Sequence, residues 1–146
     1  MIASANAGVY PCHVYFDEAE SEITVAGYGG TLSRFRLEAD GRVTPMGLVQ
    51  HETFLKGSMV NAQRQEKPHV HFFSSWGDDE DFGIAVDLGA DALVAYKTGE
   101  LRAPAGGNAI QTIRGGPRHA ARHPFLRGMG YVCTELSNKL FRFSVL

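Results

Sequence analysis

Apolar and polar side chains alternate along several short segments of the chain. Between residues 31 and 37, Phe35 and Leu37 share one face of an extended strand, while Arg34 and Arg36 share the other. Residues 139–145 repeat this arrangement. A period of two over such short lengths is typical of half-buried β-strands, and no segment carries the longer period of an amphipathic helix. The pattern therefore predicts an all-β chain.

Three short motifs, each with a proline followed by a histidine, recur along the chain. Aligning the repeats on the final histidine of each motif predicts that His13, His71 and His119 hold equivalent positions. The motifs are Pro11-Cys12-His13, Pro68-His69-Val70-His71 and Pro117-Arg118-His119.

Each motif is followed by two apolar strands joined by a tight turn. A fourth strand is predicted over 43–50, after a hairpin turn at Asp40-Gly41, and its counterpart within 101–113, after a turn at Thr98-Gly99. The paired strands are predicted over 22–28 and 31–37, over 83–88 and 92–98, and over 130–136 and 139–145.

A repeat of about 40–50 residues with four antiparallel strands is typical of a β-propeller blade. The chain is therefore predicted to hold about three four-stranded blades in one partial propeller domain, over residues 8–60, 61–113 and 114–146. The third repeat has no residues for a fourth strand. Because propellers close with typically four to eight blades, we expect an incomplete ring whose apolar end faces drive self-association or bind a partner that supplies the missing blades.

Composition narrows the class of ligand. The chain has 146 residues, a hydrophobic fraction of 44% and a net charge of −2, so it is predicted to be globular and not to bind nucleic acid. Ten arginines against four lysines suit a solvated surface and also allow a small anionic ligand. The two cysteines are far apart, no apolar stretch could span a membrane and no signal peptide is recognised, which together predict a cytoplasmic protein.

Three short stretches contain side chains suited to acid–base or anion chemistry. His69 and His71 would share a face of a strand, where they could act as a general acid or base or line a turn; a metal site lacks a third ligand at short spacing. Arg118 follows a Gly-Gly-Pro turn, where it could clamp an anion or be an ordinary surface arginine. Glu135 ends an apolar strand and must reach solvent or pair with a cation.

Five motifs in order resemble the seven-bladed β-propeller lactonases, which include propeller-type 6-phosphogluconolactonases and carboxymuconate lactonizing enzymes. The resemblance implies a catalytic site at one end of the central channel, formed by the histidine of the Pro-His-x-His motif (His69 or His71), Arg118 and Glu135. His13, Arg64 and His119 lie in the same motifs and are expected to bind substrate. Gly27 and Thr134 stand where the family usually has asparagine. The motifs are Pro11-Cys12-His13-Val14, Arg64-Gln65-Glu66-Lys67-Pro68-His69-Val70-His71, Val86-Asp87-Leu88-Gly89, Gly116-Pro117-Arg118-His119 and Thr134-Glu135-Leu136-Ser137.

The resemblance implies hydrolysis of an anionic sugar-acid lactone without a metal or organic cofactor. A histidine would activate water and Arg118 would stabilise the developing oxyanion. Two alternatives stay open at this point. The same groups suit a lactonizing cycloisomerase acting on unsaturated dicarboxylates, and the short length suits a catalytically silent propeller fragment that acts as an interaction module.

Overall fold

The computed structural model describes residues 4–51, 57–76, 82–97 and 109–145. Within them the chain forms eleven strands in three antiparallel sheets, ordered β1-β2-β3-β4, β5-β6-β7-β8 and β11-β10-β9. This confirms the predicted all-β architecture of consecutive antiparallel sheets. The strands are β1 Pro11–Asp17, β2 Glu22–Gly27, β3 Thr31–Leu37, β4 Val43–Gln50, β5 Val70–Ser75, β6 Phe82–Asp87, β7 Ala92–Lys97, β8 Ala109–Thr112, β9 Pro117–Arg122, β10 Met129–Thr134 and β11 Lys139–Ser144.

The middle sheet is covered on both faces. Residues 83–87 of β6 are all buried, and their nearly continuous apolar sequence is what a strand with two covered faces requires. One face packs on the first sheet and the other on the third, and β5 contacts both β1 and β9. The edges of the three sheets that carry the histidine motifs are therefore brought side by side.

Two apolar clusters hold the sheets together. Each fully buried Leu or Phe contributes about 1.5–3 kcal/mol relative to exposure, so these clusters stabilise the arrangement that positions the site. The buried members between the first and second sheets are Ala26, Leu32, Val70, Phe73, Ala85, Ala90, Ala92, Val94 and Tyr96. The buried members between the second and third sheets are Trp76, Ile84, Val86, Leu93, Ile113, Val132 and Phe143.

The outward faces of the first and third sheets leave large apolar side chains exposed. Leu32 and Leu93 are fully buried, whereas Leu140, at the matching position of the third sheet, is 71% exposed. On the first sheet, Val14 and Leu48 share the outward face and are 63% and 55% exposed. Repeat positions that are core in the middle sheet are thus surface at the two ends.

The predicted turns and strand bounds agree with the described residues to within one or two positions. The turn at Asp40-Gly41 joins β3 to β4, and β8 lies within the predicted 101–113 segment. The predicted turn at Thr98-Gly99 and residues 101–108 lie outside the described residues. Among those described, no helix has the length and apolarity needed to cross a bilayer.

Candidate active site

The edge strands of the three sheets share one irregularity. In β1, β5 and β9 the pairing with the neighbouring strand skips one residue, which is Cys12, His71 and Arg118 respectively. A bulged residue leaves the regular alternation, so its side chain can be aimed away from the two sheet faces. His71, one of the two candidate histidines, and Arg118 therefore occupy the same bulged position in successive repeats.

This register corrects the alignment of the histidine motifs. Their final histidines are not all equivalent: His13 and His119 match Phe72, one residue beyond His71. The rings of His13 and His119 flank Phe72, with centroids 4.3 Å and 5.8 Å from it. The sequence alone could not reveal the offset, because a bulge is defined by the pairing of two strands.

Glu135 is the central charge of the site. It is the first residue after β10, and its carboxylate accepts hydrogen bonds from Arg118 Nη1 at 2.7 Å and from Arg64 Nη1 at 3.1 Å. Burial raises the pKa of this carboxyl, but the hydrogen bond from Arg64 and the charges of Arg118 and Arg64 outweigh it, so the net pKa lies below its ordinary value. The sequence left two alternatives for Glu135, contact with solvent or pairing with a cation, and the structure has the pairing, with two arginines.

The glycine turn before β9 presents Arg118 to Glu135. Gly115 and Gly116 have φ values of 105° and 69°, a region that favours glycine. Their carbonyls accept hydrogen bonds from the amides of Leu136 and Glu135 at 3.0 and 2.8 Å. A Cβ at Gly116 would lie 2.7 Å from the Leu136 side chain, so a larger residue would push the two segments apart. Glycine therefore fixes the distance between the Arg118 and Glu135 backbones.

His71 is the less engaged of the two candidate histidines. It is 6% exposed, and its Nδ1 is buried with no hydrogen-bond partner among the described residues. Its ring meets Tyr28 and His119 edge-on, at centroid distances of 6.0 and 5.2 Å. Burial, and then the nearby positive charge of Arg118, lower the pKa of His71 to about 4. The imidazole is therefore neutral at pH 7.

His69 is held by structural contacts. Its ring stacks on Tyr28 at 4.1 Å, with Nδ1 2.7 Å from the Tyr28 carbonyl oxygen and Nε2 3.2 Å from both carboxylate oxygens of Glu66. Its backbone amide donates to Asp87 at 2.8 Å. Both ring nitrogens thus have partners, and this geometry favours His71 as the acid–base group.

The residues predicted to bind substrate surround the same point. Arg64 Nε donates to the Tyr28 hydroxyl at 2.5 Å, and its guanidinium lies 5.3 Å from the centre of the Tyr28 ring. The rings of His13 and His119 are 5.9 Å apart, and burial is the main cause that lowers the pKa of each. No group of three or more potential metal ligands occurs within the described ranges. The cluster is therefore one of neutral imidazoles beside two arginines and a carboxylate.

Sequence reasoning missed the role of Tyr28. It contacts Arg64, His69 and His71. Tyr28 directly follows β2 as Glu135 directly follows β10, so the two residues hold equivalent repeat positions and both bind Arg64. The equivalence of Tyr28 and Glu135 in the repeats could have drawn attention to Tyr28 from the sequence.

Thr134, one of the two positions where the resemblance predicts asparagine, makes contacts within the turn after β10. Its hydroxyl accepts a hydrogen bond from the amide of Lys139 at 3.1 Å and lies 2.7 Å from the Ser137 hydroxyl. It is 3% exposed and ends β10 directly before Glu135. The Thr134 side chain thus helps to close the turn that carries Glu135.

Comparison with known proteins identifies the family of the chain. The family model described as "Lactonase, 7-bladed beta-propeller" matches residues 2–146. The chain belongs to the seven-bladed β-propeller lactonase family. It is 35% identical over 135 residues to the 6-phosphogluconolactonase of Bacillus subtilis strain 168, a match covering 91% of this chain and 37% of that protein. An uncharacterized protein of Staphylococcus saprophyticus is 36% identical over 130 residues, covering 87% of this chain and 36% of the relative.

A solved structure agrees with this family at the level of fold. The periplasmic gluconolactonase PpgL of Pseudomonas aeruginosa has a TM-score of 0.75 and 24% identity, with 99% of this chain and 41% of that chain covered. The present chain thus spans about two fifths of the length of these lactonase-family proteins.

Proposed function

We propose that the chain hydrolyses an anionic sugar-acid lactone of the 6-phosphogluconolactone type. One observation carries the proposal: the Glu135 carboxylate lies between Arg64 and Arg118, beside the neutral imidazole of His71. The 6-phosphogluconolactonase relative supports the substrate class. Two arginines against one carboxylate leave a net positive charge, which suits a phosphorylated or carboxylated ligand.

In the proposed step His71 acts as the base. It takes a proton from water while the water oxygen adds to the lactone carbonyl carbon, and Arg118 stabilises the oxyanion that forms. The ring C–O bond then breaks, and the leaving alkoxide receives the proton from the His71 imidazolium. Water is the only co-reactant.

The remaining side chains bind the substrate and orient the groups that act on it. Glu135 holds both guanidinium groups in place, which fixes the direction of their N–H donors. Arg64 would bind the anionic group of the substrate. His13 and His119, neutral because burial lowers the pKa of each, would contact the hydroxyls of the sugar acid as donors or acceptors.

The test is lactone hydrolysis by the purified full chain, followed as proton release at constant pH and corrected for the spontaneous rate. We expect Arg118→Ala to reduce kcat/KM by about 10²–10³-fold, because removing one preorganised oxyanion donor costs this much in other enzymes. Arg142→Ala is the matched control, since Arg142 is an exposed residue of β11 outside the site. Equal losses in the two variants would contradict the role given to Arg118.

Assays on the same purified chain distinguish the two alternative functions that the sequence left open. Turnover of carboxymuconate in place of the lactone would identify a lactonizing cycloisomerase. The absence of both activities, with the fold intact, would favour an interaction module.

The compartment also remains a proposal. Cys12 and Cys133 are free thiols, which suits the cytoplasm. Cell fractionation tests this, and recovery of the protein outside the cytoplasm would contradict it.

A further inference from the structure

Asp91 is a buried carboxylate that the proposed reaction does not use. It lies in the turn between β6 and β7 and is 1% exposed. Its Oδ1 accepts hydrogen bonds from Gln65 Nε2 at 2.7 Å, Gly116 N at 2.8 Å and Gly115 N at 3.1 Å, and its Oδ2 accepts one from Ser58 N at 2.5 Å. Burying a carboxylate is costly unless such donors compensate it, so these bonds are strong constraints on the segments that make them.

The donors come from the two segments that carry the arginines of the site. Gln65 directly follows Arg64, and Gly116 lies two residues before Arg118. Both arginines bind the same Glu135 carboxylate. The buried Asp91 side chain therefore joins two segments that are distant in sequence. The separation of these segments decides whether both guanidinium groups reach Glu135.

The turn itself does not demand a carboxylate. Asp91 has a φ of 54°, and Asn138, at the matching position in the turn between β10 and β11, has a φ of 55° and an exposed side chain. Asparagine and glycine adopt this conformation more readily than most residues. The distinctive property of Asp91 is therefore its set of hydrogen bonds.

We propose that Asp91 is a positioning residue that sets the separation of Arg64 and Arg118 around Glu135. Its predicted effect on catalysis rests on the proposed lactonase function, whereas its effect on the arginine pair does not. Loss of the Asp91 carboxylate removes its hydrogen bonds to Gln65 and to the Gly115-Gly116 turn. Gln65 keeps its hydrogen bond to the Leu88 carbonyl, and the turn keeps those to the Leu136 and Glu135 amides. The two segments therefore stay in place but shift relative to each other, which weakens the hydrogen bonds of Arg64 and Arg118 to Glu135.

The direct experiment is an NMR titration of the Glu135 carboxyl in the full chain labelled with ¹³C-glutamate. The charged groups facing this carboxyl are Arg64 and Arg118, with His71 and His119 as titratable neighbours. We expect Asp91→Gly, which keeps the positive φ, to raise the pKa of Glu135 toward its ordinary value. Ser21→Gly is the control: Ser21 is exposed, has a φ of 51° and lies in the turn between β1 and β2, away from Glu135, so this change should leave the titration unaltered.

A second variant covers failure of Asp91→Gly to fold. Gln65→Met keeps the length of the side chain and removes the donor nearest Arg64, and it should raise the pKa of Glu135 by a smaller amount. If the parent hydrolyses lactone, Asp91→Gly should also lower kcat/KM by about 10²-fold, the effect of a misplacement of about 1 Å.

The outcomes separate the two proposals. An unchanged Glu135 titration in folded Asp91→Gly overturns the positioning role, and so does an unchanged titration in Gln65→Met if Asp91→Gly is unfolded. If the parent hydrolyses no lactone, the proposed function fails while the titration still decides the role of Asp91.

Discussion

Replacing His71 by glutamine should change how stability depends on pH. The pKa of His71 is lowered to about 4, mainly by burial and then by Arg118, whereas an unfolded histidine titrates near 6.5. The unfolded chain therefore binds a proton at higher pH than the folded chain does. The stability that His71 contributes is complete above pH 6.5 and is lost as the pH falls toward 4.

The size of the effect follows from the two pKa values. At pH 5 the lost stability is at most about 2 kcal/mol, and at pH 4 it is at most about 3 kcal/mol. Glutamine does not titrate, so His71→Gln removes this contribution to the pH dependence while keeping a polar side chain of similar reach. The effect of His71→Gln on the free energy of unfolding at pH 7 is a separate quantity. It does not enter the difference between the stabilities at two pH values.

The assay is urea unfolding of the parent and His71→Gln at pH 7, 5 and 4, at a fixed protein concentration because association shifts apparent stability. The control is Gln111→Asn, a change between two non-titrating amides at an exposed position of β8, which should keep the pH dependence of the parent. If the parent and His71→Gln lose the same free energy of unfolding between pH 7 and pH 4, His71 is not a buried neutral imidazole and its assignment as the base loses its support.

Two further predictions concern the interior and the end faces. Tyr96→Phe removes the hydroxyl that lies 2.6 Å from Nδ1 of the fully buried His51, so the free energy of unfolding in urea should fall by about 1–3 kcal/mol, whereas Tyr10→Phe at a 75% exposed site should leave it unchanged. Equal values for the two tyrosine variants would show that the buried contact does not contribute. The apolar end faces should make the chain self-associate in sedimentation experiments, and the double variant Val14→Lys/Leu140→Lys should weaken that association. A parent that stays monomeric at all concentrations would contradict this prediction.

The strands and the order of the sheets could be predicted from the sequence because the evidence for them is local. Alternation in segments such as 31–37 reports which side chains face a core, and the turn at Asp40-Gly41 ends one strand and begins the next. Arg118 and Glu135 could be singled out for the same reason: a glycine turn before one, and an apolar strand before the other, are visible within a few residues.

Only the tertiary structure decided which histidine is available and what each charged group binds. The register offset that pairs His71 with Arg118 arises from bulges, which exist only relative to a partner strand. Tyr28 and Asp91 are singled out only by hydrogen bonds to residues 36 and 24 or more positions away. The alternation of a single strand carries no information about such partners, because burial and hydrogen bonding between distant segments are set by how the sheets pack.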